Sequence, residues 1–234
     1  MEQATVLRRR QPGILSLTWP IFIELLLQML VGNADQVMVG HFDPNGVGAI
    51  GNANQITNLV LLVFSVISTA STILISRYLG AEDKRRVNET YTLSLLVNAI
   101  FGLAVGAILI ALCGPIFTLM QVPAEILERS CLYLRIIGGG MVFQAVYLTF
   151  TAFFRSNQMM KESMIVAVVM NLLNIGGNAV LIGGAFGLPA LGVAGAAIAT
   201  VAGQIVAAGA ALVLNLKCNP DIHILPREIR WHGK

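Results

Sequence analysis

Four stretches of this chain, Val47–Ser76, Leu93–Met120, Met164–Phe186 and Leu188–Leu216, contain no Asp, Glu, Lys or Arg. Each is long enough to cross the hydrocarbon core of a bilayer, which takes about 20 apolar residues. They are too long for strands, so helices must satisfy their backbone groups. A soluble core hides one such segment. It cannot hide four in 234 residues, because too little charge remains to cover a surface. Only 12% of the residues are charged, about half of what soluble domains carry. The chain therefore reads as an all-α integral membrane protein.

Six helices are expected, near 14–40, 47–78, 91–119, 129–154, 162–184 and 189–216. Arg8, Arg9 and Arg10 precede the first, in the order of a signal peptide. The apolar run that follows is too long for one and is interrupted by Pro20, Glu24 and Asp35, so it reads as a retained helix with a basic anchor. The alternation of the spans places thirteen of the fifteen Lys and Arg on one side. The other side receives only Arg129 and Arg135. The positive-inside rule puts the basic side, with both termini, in the cytoplasm. Residues 1–13 then form a basic cytoplasmic segment, 14–216 a six-helix bundle, and 217–234 a basic cytoplasmic linker. A multi-pass location in the cell membrane follows.

Cys113, Cys131 and Cys218 form no CxxC and no metal-spaced cluster with histidine. The positions of Cys113 and Cys131 near one outer surface permit a disulfide, although packing by small apolar thiols is the commoner use. Gly192, Gly195, Ala196, Ala199 and Gly203 put small residues on neighbouring turns of the last helix and predict a packing face.

Ionisable residues at membrane depth are costly and mark function by default. Glu24 and Asp35 lie in the first helix, eleven residues or about three turns apart, on nearly the same face. Low dielectric disfavours a charged carboxylate, and a cation can compete with its proton. Asp35 in the outer half is the sharper candidate for ion binding; Glu24 reads as a cavity-lining or structural acid nearer the inner surface. Arg135, close to the start of the fourth helix, is expected to snorkel to headgroups. Asn171, Asn174 and Asn178 share one stripe of the fifth helix and offer neutral amide oxygens and donors. Asn54, Asn58, Gln144, Tyr147 and Gln204 are further cavity-lining candidates. Pro20 frees a backbone carbonyl and permits a bend in the first helix.

These residues sit in recognisable strings. GNADQVMVGHF closes the first helix, and VGAIGNANQI (Val47–Ile56) follows it. ISRYLGAEDKRRV (Ile75–Val87), YLRIIGGG (Tyr133–Gly140), TAFFRSNQ (Thr151–Gln158) and GLPALGVAGAAIATVAGQ (Gly187–Gln204) come next in order. Together they resemble the multidrug and toxic compound extrusion (MATE) family over nearly the whole chain. The resemblance implies one lobe of a transporter of twelve helices in two six-helix lobes. Such a transporter exchanges Na⁺ or H⁺ for drugs or metabolites. It assigns the coupling ion to Asp35, places Asn174 and Asn178 near that ion, and links Pro20 to bending of the first helix. Many members carry Asp where Asn178 stands, which leaves Asp35 as the main titratable group. The proline often found after YLRI is replaced by Gly138–Gly140. Holding six helices rather than twelve, the chain is expected to be a fragment or half whose partner is the missing C-terminal lobe.

The resulting expectation is the N-terminal half of a Na⁺- or H⁺-coupled antiporter, not an enzyme. Its partners would be the lipid bilayer and a small amphipathic, often cationic, substrate, with no nucleic acid. No cofactor is expected beyond the coupling ion, and no metal beyond Na⁺ at Asp35. Two other readings stand beside it. A lipid-precursor flippase of related fold would need a basic cavity, and a non-transporting membrane partner or scaffold subunit would be complete at this length.

Overall fold

The computed structural model describes residues 14–187 and 189–218. Among them are six α-helices: α1 (Ile14–Gly40), α2 (Pro44–Gly80), α3 (Lys84–Leu119), α4 (Ala124–Ser156), α5 (Met160–Leu181) and α6 (Gly192–Cys218), with one 3-10 turn at Ala185–Gly187. The expected all-helical bundle is present. The expected basic segment 1–13 and the tail beyond Cys218 lie outside the described residues.

Five of these helices, α2 to α6, are long and apolar enough to cross a membrane. In α1 the apolar sequence is interrupted in its second half by Asn33, Asp35 and Gln36. With 27 residues, α1 is still long enough to span. The outside of the bundle is a belt of exposed apolar side chains, among them Leu59, Val66, Ile73, Ile100 and Leu103. Water would reject such a surface and hydrocarbon solvates it.

The helices run further than their apolar cores. The segment Leu79–Thr90 reads in sequence as a loop, yet α3 already begins at Lys84. The Asp83 side chain caps its first turn by accepting from the Arg86 amide at 3.1 Å, and Arg85 reaches Glu89 one turn on at 3.1 Å. Polar residues thus carry the helix beyond its apolar span. The turns after α2, α3 and α4 share one design. Glu82, Gln121 and Gln158 each adopt a left-handed backbone with φ of 55–59°. The residue after each donates back five positions, as in Asp83 to the Tyr78 carbonyl, Val122 to Phe117 and Met159 to Phe154. This closure satisfies the last carbonyls of a helix and reverses the chain in few residues.

α4 is the central element. In its most apolar stretch 61% of residues are buried, against 17% in α2. It packs on α2, α3 and α6, while α5 packs on α1 and α6. Close approach of α3 to α4 depends on Gly106. A Cβ there would lie 2.4 Å from the Gly138 carbonyl oxygen, a backbone atom that cannot swing aside. Gly106→Ala is expected to lower the thermal unfolding temperature in detergent, with overpacking of about 1–3 kcal/mol. Gly114→Ala on the same helix, where the added carbon meets nothing within 4 Å, should be neutral or stabilising. Equal melting of the two variants would contradict the close crossing. The small-residue face of α6 packs on α5 as expected, with Gly195 against the Leu181 carbonyl and Gly203 against that of Met170. Gly192 does not join that face. Its φ is +52° and it starts the helix in open space.

Polar contacts tie the ends. At the end opposite the chain termini, Arg129 Nη1 meets Asp43 Oδ1 at 2.8 Å. Arg135 does not simply extend outward, because its Nε donates to Cys113 Sγ at 3.1 Å.

Candidate functional site

Between the helices lies a cavity of about 750 Å³. Leu25, Met29, Asp35 and Gln36 of α1 form one wall and Asn54, Thr57, Asn58 and Leu61 of α2 another. Tyr133, Ile137, Met141, Gln144 and Tyr147 of α4 form its floor, with Asn174 of α5 and Thr200 and Gln204 of α6 closing the side. The volume falls within the range of small-molecule sites, and the mix of apolar wall and a few convergent polar groups is typical of them.

Asp35 is the acid of this wall, and only 2% of it is exposed. Its Oδ1 accepts from Asn178 Nδ2 at 2.5 Å, and its Oδ2 accepts from Thr200 Oγ1 at 3.1 Å. Tyr133 stands beside the same carboxylate. The donors are themselves linked. Asn178 Nδ2 also reaches Asn174 Oδ1 at 3.2 Å, and Asn174 Nδ2 donates to Thr200 Oγ1 at 2.9 Å. α1, α4, α5 and α6 therefore meet at one carboxylate. Every one of these partners is neutral, and no Lys or Arg pairs with Asp35 among the described residues. A charge held this deep without an opposite charge is unfavourable, so the site calls for a proton or a bound cation.

The surroundings suit a hard cation. Asn178 Oδ1 is buried and has no partner among the described residues. The Asp35 carboxylate, Asn174 Oδ1 and, once its amide turns, Asn178 Oδ1 are oxygen donors of the type that hard cations take; as placed, Asn178 directs its Nδ2 at the first two. No group of three or more His, Cys, Asp or Glu that could hold a metal is present among the described residues.

The structure separates the sequence candidates. Asp35, Asn174 and Asn178 come together. Asn54, Asn58, Gln144, Tyr147 and Gln204 lie on the cavity wall. Glu24 and Asn171 do not. Glu24 shares the face of Asp35, as its spacing requires, but at its depth that face meets other helices. It is 1% exposed, with Oε1 accepting from Arg155 Nη2 at 3.0 Å and Oε2 from Ser163 Oγ at 3.0 Å. Asn171 turns to its own helix and donates to the Ala167 carbonyl at 2.6 Å, while Met170 takes the wall position at that level. Pro20 lies inside α1 without breaking it, one turn before the Glu24 clamp.

Thr200 and Tyr133 are site residues that sequence reasoning passed over. Thr200 had a signal, because it stands four residues before Gln204 and so on the same face of an otherwise small and apolar helix. Tyr133 continues the α4 stripe of Ile137, Met141 and Gln144 by one turn.

Comparison with known proteins adds an independent line. A family model described as MatE matches residues 20–180. The chain is 38% identical over 202 residues to an uncharacterised transporter of Bacillus subtilis, YisQ, covering 86% of this chain and 44% of that protein. It is 32% identical over 201 residues to the probable multidrug resistance protein NorM of Thermotoga maritima, covering 84% and 42%. The chain thus spans less than half the length of these relatives. Among solved structures, a MATE protein in the bent conformation superposes with a TM-score of 0.84 at 22% identity, over 92% of this chain and 48% of that one.

Proposed function

The chain belongs to the MatE family and has the six-helix fold of its N-terminal lobe, and we propose that it serves as that lobe in a cation-coupled antiporter exporting amphipathic organic compounds from the cell. The observation that carries this reading is Asp35, a carboxylate sealed into a cavity wall with neutral partners alone. The relatives named as multidrug resistance proteins support the substrate class. A second lobe, on the same or another chain, completes the cleft. The cell membrane is the proposed location, with both termini in the cytoplasm, an orientation supported by the distribution of Lys and Arg.

The coupling ion, Na⁺ or H⁺, sits on Asp35. With the site empty, the buried charge holds the Asn178 and Thr200 donors toward itself. With the ion bound, that charge is neutralised and the donors are free to turn. α1 then changes its bend, and substrate in the cavity is released. The ion drives the change only by binding one arrangement more tightly than the other. The Glu24 clamp, one turn from Pro20, fixes the level at which α1 pivots, so movement is transmitted to the Asp35 end. A lipid-precursor flippase is disfavoured, since no Lys or Arg appears among the residues lining the cavity.

The test is efflux of a lipophilic cation such as tetraphenylphosphonium from proteoliposomes holding the full-length transporter that contains this lobe. A Na⁺ or a proton gradient is imposed in turn. One gradient should accelerate efflux, and the matching ionophore should abolish the gain. Efflux indifferent to both gradients would contradict ion coupling.

A further inference from the structure

We propose that Cys113 and Cys131 form a dithiol that closes to a disulfide, a redox modification site joining α3 to α4 at the end of the bundle opposite the chain termini. The antiparallel register of these helices places the pair together. Gly102 faces Ala145 and Met141, Gly106 faces Gly138, and Leu109 and Ile110 also meet Gly138. Continued along α3, this pairing sets Cys113 against the turn of α4 that holds Cys131 and Arg135, four residues apart on one face. Both contacts are present. Arg135 Nε donates to Cys113 Sγ at 3.1 Å, and Cys131 packs against the cluster that contains Cys113, close enough for the two thiols to interact electrostatically. Both cysteines are free in this structure.

The two thiols have different access. Cys113 is fully buried, whereas Cys131 is partly exposed. Cys131 therefore meets an external disulfide first. Its sulfur attacks one sulfur of a small-molecule disulfide RSSR, forms Cys131–S–SR and expels RSH, which takes up the Cys131 proton. Cys113 then attacks the Cys131 sulfur. The Cys113–Cys131 bond forms, the S–SR bond breaks, and the second RSH leaves with the Cys113 proton. The two electrons lost by the cysteines reduce RSSR to two thiols. The Arg135 guanidinium stands where negative charge passes through the Cys113 sulfur during the second step. Because α3 and α4 already cross at backbone contact, the bond staples two elements that need not move to meet.

The orientation given under the proposed function would place this pair on the outer face of the cell, where disulfides persist; the dithiol itself does not depend on that orientation. The probe is oxidised glutathione, which does not cross membranes. Protein in detergent and protein in intact cells are treated, denatured in the presence of N-ethylmaleimide so that the buried Cys113 is also blocked if it is still a thiol, reduced and labelled with a polyethylene glycol maleimide. In detergent the wild type should gain two adducts over an untreated sample. Cys113→Ser should gain at most one, from glutathione trapped on Cys131, and Cys131→Ser should gain none. Arg135→Gln should slow closure several-fold and let the glutathione adduct accumulate. A wild type that gains no adduct in detergent, or that retains glutathione by intact mass, overturns the dithiol. Closure in detergent but not in intact cells upholds the dithiol and overturns the outward orientation; closure in both supports the two together.

Discussion

Asp35→Asn is expected to leave the lobe folded and to remove the ion dependence of export altogether. Asn has the same shape, and its carbonyl oxygen still accepts from either Asn178 Nδ2 or Thr200 Oγ1, the two donors that hold Asp35. What disappears is the charge that binds the ion. An ion with equal affinity for two states shifts nothing between them, however steep its gradient. Substrate exchange down its own gradient should survive, while gradient-driven efflux falls to the rate seen without a gradient. Thr200→Val provides a graded comparison. It removes one hydrogen bond that stabilises the ion-free, charged carboxylate, worth about 1.5–3 kcal/mol, so the ion should bind more tightly and ion dependence should shift to roughly tenfold or more lower ion concentration and not vanish. Because Asp35→Asn also removes an uncompensated buried charge, its melting temperature in detergent should equal or exceed that of the wild type. Ion-driven efflux at the wild-type rate by Asp35→Asn would remove this carboxylate from the mechanism.

Glu24→Ala is expected to do the opposite, weakening the fold while leaving the ion site chemically intact. Glu24 links α1 to the end of α4 through Arg155 and to the start of α5 through Ser163. Breaking a fully buried ion pair costs about 3–5 kcal/mol. Here the Arg155 side chain is 38% exposed, so its guanidinium can turn to water and the cost falls to about 2 kcal/mol. Glu24→Gln keeps an acceptor for Ser163 and should cost about half as much. Thermal unfolding of the purified lobe measures both. A double-mutant cycle with Arg155→Ala isolates the pair, whose coupling should be lost in either single variant. If Glu24→Ala melts with the wild type, the clamp does not anchor α1.

These two acids show how far the amino-acid order carries. Both were visible as ionisable groups at membrane depth, eleven residues apart on one helical face. Their spacing could not tell them apart, because a face is a direction and not a set of neighbours. At the level of Glu24 that direction meets Arg155, which reads in sequence as a loop residue beyond the end of its helix. At the level of Asp35 it meets Asn178 and Thr200, from helices far along the chain. The same limit explains Asn171. It lies on the stripe with Asn174 and Asn178, but one turn nearer the start of α5 its neighbour Met170 faces the cavity and Asn171 turns to its own helix. Thr200 was passed over because a single hydroxyl in an Ala- and Gly-rich helix resembles packing until an acceptor faces it.

The membrane class, the helical bundle and the family were legible from the sequence alone. Charge-free runs of that length permit little else, since an apolar bilayer leaves helices as the way to satisfy their backbone groups. The small-residue faces were legible for a related reason: close helix crossings exclude side chains whatever the partner. The tertiary structure decided which acid is compensated and which is not. That distinction depends on contacts across 131 to 165 residues of chain, and no local period encodes them. Glu24 meets a guanidinium and Asp35 meets only neutral donors. The difference between a structural ion pair and the proposed ion site is therefore set by packing, because the energy of a buried charge is fixed by what lies within a few ångströms of it.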